Sequence, residues 1–289
     1  MKKIIILLLL ILPFAGCLAQ DEPPIPEQTV ADFENAPWQW KQIRPGLEYT
    51  ACSLRLFDSP KHIAVVRYNT KSFLTDIVNV EGKEAAVTSD FAEQHNALAA
   101  INGSYFAMGT RDAITFVIDE WKKEAVNDDE IRADGAVAVK GRKIFIALSD
   151  SLEFEKTFRG CRDVLAAGPV LLLDGKSVPY SPSGVSYYVR RHPRSLFGTD
   201  DKGRAYMIVI DGRFKGVAEG VTLPECVTIC RLFNIKNAIN LDGGGSSTLW
   251  VAEEGVISHP CDNKKFDSLG QRKIPNVILV KERSGSRGR

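Results

Sequence analysis

The chain has 289 residues, a formal net charge of +1, 25% charged and 44% apolar residues. This balance excludes a large electrostatic footprint for nucleic acid and a disordered chain, and 23 glycines and 14 prolines exclude a collagen-like or linker protein. The length suffices for one sizeable core.

Residues 1–19 read as a signal peptide: Lys2 and Lys3 precede an unbroken apolar run from Ile4 to Leu12 and then small residues. The run is too short to span a bilayer. Two exits compete. Phe14-Ala15-Gly16-Cys17 is similar to a lipobox that would lipidate Cys17, whereas Cys17-Leu18-Ala19 suits plain cleavage before Gln20. Either way the mature chain is expected to be exported, to the periplasm, the outer membrane or the cell surface. Its only expected membrane link is a lipid on Cys17.

Residues 20–44 are acidic and proline-rich and are expected to form an extended tether; residues 45–282 form the folded domain and 283–289 a basic tail. Short β-type runs fill 49–57, 62–68 and 73–80. Asp90–Asn96 reads as a short helix with Asp90 and Glu93 at capping-box spacing. Further strands are expected at 97–101, 114–118, 136–139, 143–148, 164–167 and 170–173. The last third places strands at 196–199 and 205–210. A helix from Thr222 to about Phe233 should then open on a Thr222/Glu225 box, with Val227, Cys230, Arg231 and Phe233 on one buried side. Strands at 238–241, 247–252 and 276–280 close the fold. The expected class is α+β, a single domain with a mixed β-sheet core and a few helices.

Five cysteines remain after Cys17: Cys52, Cys161, Cys226, Cys230 and Cys261. Five is odd, so at least one stays free or pairs between chains, and spacing sets no disulfide. Cys226 and Cys230 lack nearby partners for a zinc set and read as packing residues. The four histidines show no helical metal pair. No metal or other cofactor is predicted; calcium stays open, since scattered Asp and Asn oxygens can form a site that spacing does not reveal. Nothing in the sequence sets an oligomeric state.

The run Asn240–Thr248 (NLDGGGSST) carries the strongest chemical signal. Gly243, Gly244 and Gly245 free the backbone for positive φ, so successive N–H groups could form an oxyanion nest, with Ser246 and Ser247 adding hydroxyls. Asp242 would sit at the rim of that nest, placed to face an electron-poor carbon or to take a proton. The run lacks the Lys of a Walker loop and the final Gly of a nucleophile elbow. A Gly-rich turn capped by Asp is the plainer alternative. Arg190-Arg191-His192-Pro193-Arg194 is the densest cationic cluster, and Arg194, beside a strand, is the best phosphate ligand in it. Asp211-Gly212-Arg213 ends a strand, as does Asn102-Gly103-Ser104-Tyr105-Phe106.

In their order along the chain, Asn102–Phe106, Ala167–Leu171, Pro193–Asp200, Ile210–Arg213, Gly220–Leu223, Ala238–Thr248 and Arg272 with Pro275-Asn276 resemble the phosphodiester glycosidase family. One departure is Ser195-Leu196-Phe197-Gly198, where relatives more often carry Arg-Thr before a small apolar residue; it bears on aglycone preference. The resemblance implies hydrolysis of a sugar C1–O bond within a sugar-1-phosphodiester, giving a free sugar and a phosphomonoester. It implies Asp242, or secondarily Asp211, as the catalytic carboxylate. Arg194, the Gly243–Gly245 backbone, and Ser246 or Ser247 would bind phosphate. Asn102 and Tyr105 would orient the sugar, with Arg272 and Asn276 as further lining residues. Two other readings stay open: a P–O-cleaving phosphodiesterase and a non-catalytic glycan-binding lipoprotein of the envelope.

Overall fold

The computed structural model describes residues 23–125, 133–150, 153–179 and 186–283. The expected signal peptide, Cys17 and nearly all of the basic tail lie outside them. Three sheets account for the fold, one of eight strands and two of five. The class is α+β with a sheet core and few helices, as expected. Among the described residues the paired strands are all antiparallel, so the sheets are not mixed in direction; their order is not sequential, since Asn237–Asn240 pairs with Arg194–Thr199 on one side and with Val170–Leu173 on the other.

The central strands of the large sheet are buried on both faces, and period-2 alternation sorts their side chains. Ala64, Val66, Met207, Val209, Phe197 and Ile239 point into a core shared with both five-stranded sheets. Ile63, Val65, Ile208, Ile210 and Leu196 point the other way, against the helix Leu223–Leu232. That helix opens on the expected capping box, the Thr222 hydroxyl accepting from Glu225 N–H and the Glu225 carboxylate accepting from Thr222 N–H. Its buried stripe is Leu223, Cys226, Ile229 and Cys230; of the expected side only Cys230 is fully buried, with Val227 and Phe233 at its margin. The other expected box is not formed. The helix there is Thr88–Gln94, capped by Val87 without a side-chain bond, and Asp90 lies inside its first turn.

The stretch expected to be a tether is partly built into the domain. Glu27–Glu34 is helical, Phe33 is buried against Trp38 and Phe233, and Lys41–Arg44 adds an edge strand. The aromatic cluster offsets the ordering of a proline-flanked segment, which composition alone does not reveal. The cysteines at 52, 161, 226, 230 and 261 are all free and buried. Among the described residues no helix is long and apolar enough to cross a membrane.

The register puts the chemistry at one seam. Arg194 pairs with Ile210, and Leu196 with Asn240, so Arg194, Asp211 and Asp242 all emerge at the same edge of the large sheet. In the sheet formed by the C-terminal strands, Asn102 pairs with Val277 and ends its own strand beside that edge. The Asp242 N–H donates to Gly103 O at 3.0 Å and stitches the two sheets together there.

Candidate active site

A cavity of about 270 Å³ opens at this seam, lined by Tyr105, His192, Pro193, Arg194, Arg213, Asn240, Asp242, Gly243, Gly244, Gly245 and Arg272. Asp242 and Arg194 therefore share one hollow. Three guanidiniums face a single rim carboxylate, a charge balance suited to an anionic ligand.

Each cation is held from behind. Arg194 is buried, with Nε donating to Val221 O at 3.2 Å and Nη2 to Arg190 O at 3.3 Å. Arg272 grips Asp262 with two parallel bonds of 2.7 Å, from Nε and Nη2, and this pair holds its charge firmly in place. Arg213 adopts φ 69°, and its Nη1 lies 3.5 Å from Cys261 Sγ. His192 is shifted below the ordinary histidine range, first by burial and then by Arg194, Arg213 and Arg190. It is therefore neutral at neutral pH and offers hydrogen bonds rather than charge.

The triglycine run works differently from a nest of three free donors. Gly244 takes φ 63°, but its N–H donates to Pro193 O at 2.9 Å, so that donor is already used. The glycines instead make room for guanidiniums. A Cβ on Gly244 would lie 2.9 Å from Arg213 Nη2, and one on Gly245 would lie 2.1 Å from Arg272 Nη2 and 1.9 Å from Asp262 Oδ1.

Several expected site residues lie behind the cavity wall. Asn102 is fully buried; its Nδ2 donates to Asp242 O at 2.7 Å, and its Oδ1 accepts from Ser195 Oγ and from Thr248 N–H. It positions Asp242 by its backbone and is not exposed to a sugar. Ser195, which opens the run that departs from the family pattern, is buried and donates to Asn102. Asn276 is also buried, accepting from Ser104 N–H and donating to Asn79 Oδ1. Ser246 and Ser247 are buried, and neither lines the cavity. Tyr105 does line it, but its hydroxyl donates to Gly168 O and accepts from Asn240 Nδ2, so the wall already holds that hydroxyl.

Asp211 is the main correction. It is buried outside the cavity, accepting from His62 Nδ1, His259 Nδ1 and the His259 N–H. Burial raises its carboxyl, but these bonds outweigh burial and leave it below the usual carboxylate range. Two residues later Arg213 does reach the cavity. The signal was already present in Asp211-Gly212-Arg213, which sequence reasoning read for its acid rather than its base. Gly212 passes so close to Pro193 N that a Cβ would lie 2.6 Å away, and Arg213 then turns through the left-handed region. This tight passage points the two side chains apart. His192 and Asn240 also lay inside recognised runs and were missed, because neither run shows which side chain faces inward. Among the described residues His62, Asp211 and His259 are the one group with three metal-ligand atoms close together, within 4.8 Å of one another.

Three comparisons show what the chain is similar to. A family model described as phosphodiester glycosidase matches residues 95–281. N-acetylglucosamine-1-phosphodiester alpha-N-acetylglucosaminidase of Mus musculus is 24% identical over 213 residues, covering 69% of this chain and 40% of the relative. The Homo sapiens protein of the same name is 24% identical over 217 residues, covering 69% and 41%. The chain thus matches about 40% of the length of these curated relatives. Among solved structures, the zebrafish catalytic domain of that enzyme, auto-inhibited by its pro-peptide, superposes with a TM-score of 0.68 at 17% identity, covering 86% of this chain and 88% of that one. A hypothetical protein from Synechocystis gives 0.69 at 14% identity, covering 86% and 64%. At these identities the structures speak for the fold, while the family model spans well over half of the chain: it belongs to the phosphodiester glycosidase family.

Proposed function

We propose that this protein hydrolyses the glycosyl C1–O bond of a sugar-1-phosphodiester, releasing a free sugar, GlcNAc-like by analogy with the curated relatives, and a phosphomonoester. The observation that carries this reading is the single cavity in which Asp242 meets Arg194, Arg213 and Arg272. Water adds to C1 as the C1–O bond breaks. The bonding pair leaves with the phosphate, and the proton of the water passes to Asp242 or to solvent. A phosphomonoester is a far better leaving group than a sugar hydroxyl, so one cavity carboxylate is enough without a second acting as general acid. Asp242 stabilises the oxocarbenium-like carbon or activates the water. The guanidiniums of Arg194, Arg213 and Arg272 receive the charge growing on the phosphate. His192 supplies a neutral hydrogen bond that orients the substrate without competing for its charge.

Hydrolysis of GlcNAc-α-1-phospho-mannose in ¹⁸O-water tests the reaction class. Label in the free sugar is the expected result. Label in the phosphate would make the protein a phosphodiesterase. Binding without turnover, unchanged by Asp242→Asn, would make it a glycan-binding protein.

A further inference from the structure

From the cluster that the proposed reaction leaves unused, we infer that His62, Asp211 and His259 bind one divalent transition-metal ion, zinc by preference, as a structural clamp behind the cavity. The three side chains come from distant segments: the strand Ser59–Asn69, the residue after the strand Arg204–Ile210, and the loop that follows the strand Gly255–Val256. Both ring nitrogens, His62 Nδ1 and His259 Nδ1, converge on Oδ2 at 2.7 Å, while the His259 backbone N–H is shared between Oδ1 and Oδ2 at 3.0 Å from each. Crowding all the ring nitrogens on one oxygen spreads the carboxylate's capacity poorly, but it is the convergence that a shared ion requires. Opening each ring N···O contact by about 0.6 Å converts hydrogen-bond spacing to the edge of a tetrahedral zinc sphere with bonds of about 2.0–2.1 Å.

The surroundings suit a buried three-ligand site whose fourth position would fall to water. Asp211 and His62 are buried, and Asp211 N–H donates to His62 O at 3.0 Å, which fixes two ligands relative to each other. Phe266 stacks on His259 with centroids 3.7 Å apart and meets His62 edge-on at 5.9 Å, giving an apolar cover. Two imidazoles and one carboxylate favour zinc over calcium, which prefers oxygen alone. On binding, each neutral ring presents the Nδ1 lone pair and carries its hydrogen on Nε2, so no net proton need be released. The clamp acts on the cavity wall: His259 opens the loop that carries Cys261 and Asp262, and Asp262 holds Arg272.

The test uses the whole mature chain, stripped with EDTA and titrated with Zn²⁺ against a chromophoric chelator. One zinc per chain at submicromolar affinity is expected, with a raised unfolding midpoint and, for Co²⁺, the strong visible absorption of a tetrahedral site. The His62→Gln/His259→Gln variant should bind at least about 100-fold more weakly. Three results would overturn the inference: no binding by the wild-type chain at micromolar zinc, equal binding by the double variant, or binding abolished by thiol alkylation instead. None depends on turnover, so failure here is separate from failure of the proposed reaction.

Discussion

Asp211 and Asp242 begin alike and end differently. Each follows a strand of the large sheet, and each precedes glycine: Asp211-Gly212-Arg213 in one case, Asp242-Gly243-Gly244-Gly245 in the other. Asp211 turns inward and is surrounded by N–H donors from two histidines, whereas Asp242 stays at the rim of a cavity lined by three arginines. Asp211, buried under two histidines, holds distant segments together, whereas Asp242 lines a cavity beside fixed cations. Where each strand end emerges, rather than the Asp-Gly dipeptide, separates the two roles.

The largest expected effect breaks the pair apart. Asp242→Asn should reduce turnover of sugar-1-phosphodiesters by at least about 10³-fold while the thermal unfolding midpoint stays near the wild-type value. Asp211→Asn should do the reverse, costing about 3 kcal/mol of stability through the buried histidine contacts. Steady-state rates and thermal melts on both variants check the contrast, and a stable but inactive Asp211→Asn enzyme would exchange their roles.

Arg213→Ala comes next. It should lower kcat/KM on diesters by about 10²–10³-fold yet barely change hydrolysis of aryl glycosides that lack phosphate. Equal losses on both substrates would remove the phosphate role from this side of the comparison. Gly245→Ala should cost about 10²-fold, since its Cβ would displace the Asp262–Arg272 pair by roughly 1 Å. Kinetics together with a melt would distinguish this misplacement from unfolding.

The smallest effect extends the comparison to a third acid. Asp134 is largely buried, and its Oδ1 accepts the Val170 N–H at 2.8 Å; burial outweighs this support and pushes its carboxyl up to about 6. A raised folded pKa favours the protonated native state, so its stabilising contribution is full below the unfolded value near 3.9 and is lost as pH rises to about 6. Asp134→Asn keeps an acceptor for Val170 and should flatten that decline, gaining at most about 3 kcal/mol above pH 6. Denaturant unfolding between pH 4 and pH 7 reads the slope.

Much of the fold was legible in local patterns. The strands Lys143–Leu148 and Val170–Leu173 lie where their apolar runs place them, and the Thr222/Glu225 box forms as its spacing requires. The N-terminal helix was not legible, because Phe33 gains its value only from Trp38 and Phe233, and the latter lies some 200 positions away. In the candidate site, type and order singled out Asp242, Arg194, Arg272 and the glycines, and the structure brings them to one cavity. Asn102, Asn276, Ser246 and Ser247 were misassigned to the ligand, since a polar residue in a recognised run looks the same whether it faces a cavity or fastens a wall.

Local patterns carried the family, the sheet-rich architecture and the acid of the NLDGGGSST run, because strand alternation, cap chemistry and so specific a run are properties of short stretches of chain. The meeting of distant strand ends put Arg213 rather than Asp211 in the cavity and set Gly244 and Gly245 against guanidiniums. It also brought His62 and His259 together on one buried oxygen. Those outcomes depend on which strand ends meet at the seam and on backbone clearances of a few ångströms, and neither is encoded within any single stretch of residues.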